Sequence, residues 1–155
     1  MKLFAADTNL FVQGPDICHA SDHANLLLSK LHSWFVSNKL TLSLPKTCYT
    51  VFGKNRNDTC VLKLTDYKLE QVDHCKYLGM YLDKNLDWTV RIDFVYKKIL
   101  KYVGIFYKLR NKIPRACLRN IYFAFVYLHL FYGIELYANT YYSNLDKLVK
   151  LNNKL

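Results

Sequence analysis

The chain has 155 residues, of which 52% are hydrophobic, and a formal net charge of +10. This is the length of about one domain, and the hydrophobic content excludes a disordered chain. The charge favours an anionic partner, either nucleic acid or a membrane surface. Five scattered cysteines and an opening without a secretory-signal pattern predict reduced thiols and, by default, a cytoplasmic or nuclear location.

The charge is concentrated in the second half of the chain. Residues 88–155 contain twelve Lys or Arg and three Asp or Glu, a net charge of +9. Residues 61–87 have a net charge of −1. This asymmetry predicts two functional regions, of which the second is the candidate for an anionic partner.

The first dozen residues predict a β-hairpin. Two short apolar runs, residues 3–5 and 10–12, flank the polar triplet Asp7-Thr8-Asn9. Apolar runs separated by a short polar centre are typical of a hairpin, here with a carboxylate at or beside its turn.

A helix is expected next, beginning at Ser21 or Asp22 and ending near Asn38, because the apolar residues between them recur at helical spacing. Alternating or β-branched segments then predict four strands. They cover residues 40–44, 47–52, 61–64 and 77–82, the last one bent at Gly79.

Only helices are predicted after residue 86. Asp87 can cap a long helix whose apolar residues step by three or four from Trp88 to Ile113. Pro114 suits the first turn of a second helix, which is broken near residues 129–133. Ser143 or Asn144 can cap a last one. The order of elements predicts an α+β fold, with short antiparallel strands and one helix followed by an all-helical region.

Several short stretches carry a family resemblance when they are taken in order. The sequence resembles the reverse transcriptase of non-LTR (LINE-type, Jockey-like) retrotransposons. The matching stretches are Phe4-Ala5-Ala6-Asp7, Trp34-Phe35 with Asn38-Lys39-Leu40 and Lys46-Thr47, Tyr77-Leu78-Gly79-Met80 with Asp83, and Trp88-Thr89-Val90-Arg91-Ile92 with Lys97-Lys98-Ile99 and Gly104.

The resemblance implies a fragment of an RNA-directed DNA polymerase. Residues 1–86 would be part of the polymerase palm, from the catalytic hairpin to the primer grip, and residues 87–155 a helical thumb and connection. In the family, the fingers and the first palm motif precede the hairpin, so the chain is expected to begin inside the palm.

The resemblance also implies a damaged catalytic site. Ala6 stands where the family has the first hairpin Asp, and Asp7 matches the second. Polymerases use two Mg²⁺ ions, and one carboxylate cannot fix both of them. We therefore expect an inactive chain without bound Mg²⁺, and Asp7 is the acidic residue of the hairpin to test as a metal ligand. We also expect that restoring Ala6→Asp does not rescue activity. Lys46 matches a lysine near the phosphates of the incoming nucleotide, or is a solvated lysine.

Two further sets of residues are candidates for nucleic-acid contact. The primer grip is matched by Tyr77, Leu78, Gly79 and Met80, which could equally be a structural bent strand. Seven basic residues lie off the apolar stripe of the long helix and could hold phosphates, or form an ordinary solvated face. They are Arg91, Lys97, Lys98, Lys101, Lys108, Arg110 and Lys112.

The partners implied are an RNA template and a DNA primer in the parent enzyme, with no small-molecule substrate for the fragment. One alternative is a nonspecific nucleic-acid-binding module that uses the basic helices. Another is a membrane-surface protein that uses residues 121–134, which carry no formal charge but are too few to span a bilayer. A buried helix or an exposed aromatic surface would explain this segment as well. The pattern Cys18, His19 and His23 lacks the paired spacing of a zinc site.

Overall fold

A computed structural model of the chain describes residues 2–4, 7–53 and 61–155, with side chains from residue 8 onward in these ranges. The chain divides into two compact units, Met1–Leu78 and Gly79–Leu155, called here the N-terminal and C-terminal units. The fold is α+β, as predicted, with short strands in small sheets and long helices. The domain boundary at residues 86/87 stays a prediction.

The N-terminal unit opens with the predicted hairpin, in a shifted register. Strands β1 (Lys2–Phe4) and β2 (Asp7–Asn9) are antiparallel, and Phe4 lies opposite Asp7. The triplet Asp7–Asn9 is therefore a strand and not the turn, and residues 10–12 form no strand. The pairing leaves residues 5 and 6 between the strands.

Helix α1 (Ile17–Ser37) begins earlier than expected. Asp16, and neither Ser21 nor Asp22, is its N-cap, and the Asp16 carboxylate accepts from the backbone N–H of His19 at 2.7 Å. Hydrogen bonds from His19 lower the pKa of Asp16. Its end is as predicted, since Asn38 follows as C-cap and its side-chain amide donates to the carbonyl of Trp34 at 2.8 Å.

The other strands of this unit are short. They are β3 (Cys48–Tyr49), β4 (Lys63–Leu64), β5 (Tyr67–Lys68), β6 (Glu70–Gln71) and β7 (His74–Tyr77). Strand β3 pairs parallel with β6, and β4 pairs antiparallel with β5.

The strand predicted at residues 40–44 is wrong. A 3-10 helix, Leu44–Lys46, occupies its end, because Pro45 has a fixed φ suited to a helical turn and no N–H for a sheet. The strands predicted at 47–52 and 61–64 exist, shortened to two residues each.

The C-terminal unit contains one strand and six helical segments. They are β8 (Met80–Asp83), α2 (Thr89–Leu109), α3 (Arg115–Ile121), a π-helical segment (Tyr122–Tyr127), α4 (Leu128–Phe131), α5 (Ile134–Tyr137) and α6 (Tyr142–Asn152). Their core is a cluster of buried side chains: Met80, Ile92, Val95, Ile99, Phe106, Val126, Tyr137, Leu148 and Leu151.

The N-cap position of the long helix α2 is Trp88 and not the predicted Asp87, which lies one residue before it. Asp87 still bonds the first turn of the helix. Its carboxylate accepts from the backbone N–H of Thr89 at 3.0 Å and from the Thr89 hydroxyl at 2.7 Å, which lowers the pKa of Asp87. The helix ends at Leu109, earlier than the expected Ile113. The residue before Pro114 is sterically disfavoured in the helical conformation, so the chain leaves the helix ahead of it.

Two predictions about where strands and helices begin and end are wrong. Residues 77–82 are not one bent strand, because Leu78 (φ 48°) and Gly79 (φ 77°) separate β7 from β8 with the positive φ values of a type I′ turn. The last helix begins at Tyr142 and has no side-chain cap, since the Asn144 amide donates instead to the Thr140 hydroxyl at 3.4 Å.

The break predicted near residues 129–133 is confirmed. Tyr132 is extended and Gly133 has φ 72°, so helix α4 stops and α5 starts in a new direction. Among the residues that the structure describes, no helix has both the length and the apolar character needed to cross a membrane.

Candidate nucleic-acid interface

Three of the predicted lysines share one face of helix α2. Lys97, Lys101 and Lys108 are exposed, and their spacing of four and seven residues returns to nearly the same direction on a helix with 3.6 residues per turn. The opposite face carries Ile92 and Val95, which are buried. We call Lys97, Lys101 and Lys108 the lysine stripe.

A glycine interrupts this stripe. Gly104 lies between Lys101 and Lys108 in the helix interior, and a Cβ at this position would meet no atom within 4 Å. Gly in a helix interior costs about 0.5–1 kcal/mol relative to Ala. Nothing inside the unit requires this glycine, so the open space above it lies on the surface.

The predicted placement of Arg91 on the exposed face is wrong. Its side chain is only 3% exposed, because its position on α2 points toward the C-terminal core and not away from it. One guanidinium nitrogen, Nη2, donates to the carbonyl of Tyr132 at 2.8 Å, and Nη1 lies 3.5 Å from the carbonyl of Gly79. Arg91 is therefore not available to a phosphate.

Aromatic rings surround the buried guanidinium. Its carbon lies 5.6 Å from the ring centre of Tyr132, 5.8 Å from Phe94 and 5.9 Å from Tyr137. These are distances at which ring faces stabilise a cation, and they compensate for the lost water. Burial still lowers the pKa of Arg91, and it raises the pKa of Tyr137.

Lys98 lies beside aromatic side chains. Its ammonium is 5.4 Å from the ring centre of Phe94, and it is near enough to His129 to lower the pKa of that imidazole. Burial is the larger cause of the His129 shift, and the charges of Lys98 and Arg91 add to it. The His129 ring stacks on Tyr102, with 6.4 Å between centroids and an interplanar angle of 28°.

The last two predicted cations lie beyond the end of α2. Arg110 and Lys112 are both exposed, and the Arg110 guanidinium is 4.3 Å from the ring centre of Tyr107. A guanidinium above an exposed ring offers both a charge and a flat surface at one point.

The charge around these residues is uncompensated. Residues 94–134 contain eight Lys or Arg and no Asp or Glu. Two acidic side chains of this unit pair with lysines outside this run: Asp93 pairs with Lys147, and Asp146 with Lys150 at 2.5 Å. None of the eight cations has an ion-pair partner among the described residues.

The primer-grip residues fall on both sides of the boundary between the units. Tyr77 and Leu78 end the N-terminal unit, where the Tyr77 ring meets Phe11 edge-on at 5.3 Å. Met80 is buried in the C-terminal core, and Gly79 packs beside the Tyr132 ring. Their contact with a primer stays a prediction.

The described residues include no assembled metal site, and whether Asp7 binds a metal stays a prediction. Lys46 is exposed at the end of the 3-10 helix, Asp7 is the first residue of β2, and Ala6 and the side chain of Asp7 lie outside the described residues. Within the described part of the chain, no three His, Cys, Asp or Glu side chains converge. These residues do not fit a two-magnesium centre, which needs carboxylates from different strands.

The sequence left open whether the aromatic residues that follow the basic helix are buried or exposed, and in the structure three of them are exposed. Phe123, Tyr127 and Phe131 are 47%, 37% and 56% exposed. Their signal was their spacing, since aromatic residues recur every four positions, but the sequence alone left both a buried helix and an open surface possible.

Comparison with known proteins supports the family resemblance. The chain is 26% identical over 149 residues to the RNA-directed DNA polymerase from mobile element jockey of Drosophila melanogaster. The predicted similarity to a Jockey-type reverse transcriptase is confirmed. The match covers 94% of this chain and 16% of the polymerase, so the chain spans about one sixth of that relative. No family model matches the chain, and no solved structure matches it significantly.

Proposed function

We propose that this chain is a nucleic-acid-binding segment of a Jockey-type reverse transcriptase, and that its C-terminal unit holds the phosphate backbone of the template–primer duplex. The observation that carries the proposal is the run from residue 94 to 134, with eight cations, no acidic residue and no ion pair among the described side chains. The jockey polymerase supplies the choice of RNA and DNA as the anionic polymers.

The lysine stripe is suited to binding a phosphate backbone and not to reading a base sequence. Lysine ammonium groups are point charges on flexible stems, which bind phosphates without reading base edges. Lys97 and Lys108 are separated by eleven residues, or about 16 Å along a helix. Between them, Gly104 lets a sugar–phosphate chain approach the helix backbone closely, which would explain a glycine that the unit itself does not need.

We further propose that the chain does not polymerise and holds no Mg²⁺. Ala6 offers no metal ligand where the resemblance expects a carboxylate, and Asp7 alone cannot fix two ions. Primer extension with purified chain, a primed RNA template and Mg²⁺ is expected to give no product. Extension above the level of a protein-free reaction would contradict this part of the proposal.

Salt-dependent binding tests the main proposal. Fluorescence anisotropy with a labelled RNA–DNA duplex is expected to give an affinity whose logarithm falls linearly with the logarithm of the salt concentration. The double variant Lys101→Ala/Lys108→Ala should reduce that slope by about two, because each lost phosphate contact releases about one counterion fewer.

A matched control removes the same charge elsewhere. The variant Lys147→Ala/Lys150→Ala also loses two lysines, but both are ion-paired on helix α6. It should leave the salt slope within about half a unit of the original value, since it removes no phosphate contact. An equal drop in both double variants would mean that net charge, and not the lysine stripe, drives binding.

A further inference from the structure

The helical segment from Arg115 to Phe131 carries two rows of side chains. The inner row steps by four and packs on the C-terminal core, with Val126 fully buried and its neighbours half-buried. Its members are Leu118, Tyr122, Val126 and Leu130. The outer row is displaced by one residue and every member of it is exposed. Its members are Arg115, Arg119, Phe123, Tyr127 and Phe131.

The π-helical segment limits the drift of the outer row between Phe123 and Phe131. In an α-helix, residues four apart drift by roughly 40° per step, or about 120° over twelve residues. The π-helical segment Tyr122–Tyr127 has a wider turn, so a step of four residues falls short of a full turn and reverses the drift. The segment thus holds Phe123 and Phe131 on one face, and π-helical turns are frequent at functional sites.

The rings of the outer row form a continuous ladder. The centroids of Phe123 and Tyr127 are 5.2 Å apart, and those of Tyr127 and Phe131 are 5.3 Å apart with an interplanar angle of 17°. At the other end of the row, the Arg119 guanidinium lies 5.9 Å from the ring centre of Phe123. We call Phe123, Tyr127 and Phe131 the aromatic row.

We infer that the aromatic row is a stacking platform for unpaired nucleotides, with Arg115 and Arg119 contacting their phosphates. Exposed rings beside cations are the two elements that single-stranded nucleic acid requires, because every base has a flat face and every nucleotide a negative charge. In a duplex the base faces are covered, so the platform selects unpaired strands. The inference rests on the proposed function only in assuming that the ligand is a nucleic acid.

Charge argues against two possible occupants of this apolar face, a second copy of the chain and an apolar protein. A second copy of the chain would bring two acid-free runs of eight cations against each other, which is unfavourable. An apolar protein partner would leave Arg115 and Arg119 without a counterpart. A strand of nucleic acid matches the rings and the guanidinium groups together.

The experiment compares one ring-free variant on two probes. The triple variant Phe123→Leu/Tyr127→Leu/Phe131→Leu keeps an apolar surface but removes the ring faces. Its affinity for a labelled oligouridine of about 16 nucleotides should fall at least tenfold, since stacking contributes about 1–3 kcal/mol per base. Its affinity for a blunt RNA–DNA duplex of the same length should change less than about twofold, because the lysine stripe is intact.

A control variant alters exposed rings outside the row. Tyr141 and Tyr142 are 78% and 71% exposed, and Tyr141→Leu/Tyr142→Leu should bind oligouridine like the original chain. If the triple variant folds poorly by circular dichroism, Arg115→Glu/Arg119→Glu leaves all three rings in place and should also lose oligouridine binding.

Three outcomes would overturn the platform. The first is unchanged oligouridine binding by the triple variant, and the second is an equal loss of affinity for both probes. The third is that the unaltered chain and the triple variant bind phosphatidylserine vesicles, while neither binds oligouridine. The proposed function fails on a different result, namely no binding of the duplex by the unaltered chain. The two hypotheses are thus tested separately.

Discussion

The two units differ in how much core they contain. In the N-terminal unit, the cluster of buried side chains that joins helix to strands is formed by Leu28, Leu64 and Leu69, and no strand among the described residues exceeds four residues. In the C-terminal unit, nine buried side chains from five segments form one cluster around helix α2. The described part of the region that resembles a catalytic palm thus has a small cluster of buried side chains, and the region that resembles a thumb has a larger one.

This difference has a physical consequence for function. Two-stranded sheets of two or three residues are marginally stable by themselves, and most of the stability of a small unit comes from buried apolar area. The C-terminal unit can present a rigid charged and aromatic surface because α2 is held from behind by its core. The proposed binding surface therefore lies on the unit with the larger described core.

Core truncation should give the largest effects and the clearest contrast. Ile92→Ala, at a fully buried position, is expected to cost about 4 kcal/mol in unfolding free energy, and Leu64→Ala about 3 kcal/mol. Because Leu64 belongs to a cluster of three buried residues, we expect amide protection to disappear throughout its unit, whereas Ile92→Ala leaves partial protection in its own.

Hydrogen exchange measured residue by residue checks this contrast. Persistent protection of strands β4 and β5 in Leu64→Ala would show that the small cluster does not hold the N-terminal unit together. Val61→Ala, at an exposed position in the same segment, is the control and should change little.

Removal of the buried cation should have the next largest effect. Arg91→Met keeps the length of the side chain but loses the hydrogen bond to the Tyr132 carbonyl and the contacts with three rings. We expect a loss of about 3 kcal/mol in urea unfolding, and a smaller loss for Arg91→Lys, which keeps the charge. The salt slope of duplex binding should not change, and a reduced slope would mean that Arg91 reaches phosphate.

Two glycines should respond in opposite directions. Gly133 has φ 72°, and a Cβ there would lie 2.6 Å from the Sδ and Cε atoms of Met80, so Gly133→Ala should destabilise the C-terminal unit by about 1–2 kcal/mol. Gly104→Ala fills open space in a helix and should stabilise it by about 0.5–1 kcal/mol.

The duplex-binding assay tests a second role of Gly104. If a nucleic-acid backbone approaches α2 at Gly104, then Gly104→Ala weakens duplex binding although it stabilises the fold. Unchanged or tighter duplex binding would remove Gly104 from the proposed interface and leave the lysines as its only members on that helix.

The smallest effect concerns pH. The pKa of His129 is lowered by burial and by the charges of Lys98 and Arg91, so the unfolded chain binds this proton more readily than the folded one. The stability that His129 contributes is present above its unfolded pKa of about 6.5 and is lost as the pH falls through the lowered folded pKa. His129→Gln should flatten the unfolding free energy below pH 6.5, and an identical pH profile would contradict this.

Periodicity made the long helices predictable. The apolar spacing of α1 and α2 follows the helical repeat, and Asp87 and Pro114 mark where α2 begins and α3 follows. The early start of α1 was missed because Asp16 directly follows Gly14 and Pro15, which are typical of a turn, and its role as the N-cap was not recognised. The strand expected at residues 40–44 shows the limit of an alternating apolar and polar pattern. The pattern indicates which side chains are buried, but a strand also needs a neighbouring strand to pair with.

The candidate site was predictable in charge but not in placement. The sequence located the cations, and five of the lysines that it singled out are exposed, together with Arg110. It could not locate Arg91, since one residue beside an apolar stripe is buried or exposed according to what packs next to it. Here helix α5 and the chain at Tyr132 cover it.

The sequence by itself determined the class of fold, the segregation of positive charge and the similarity to a Jockey-type polymerase, because these depend on composition, period and ordered motifs. Tertiary structure decided which individual side chains are buried and which of them lie together. Arg91 is buried because carbonyls and rings from distant segments converge on it. Phe123, Tyr127 and Phe131 form a row because a π-helical turn, which forms against the packed core, removes the drift of an ordinary helix.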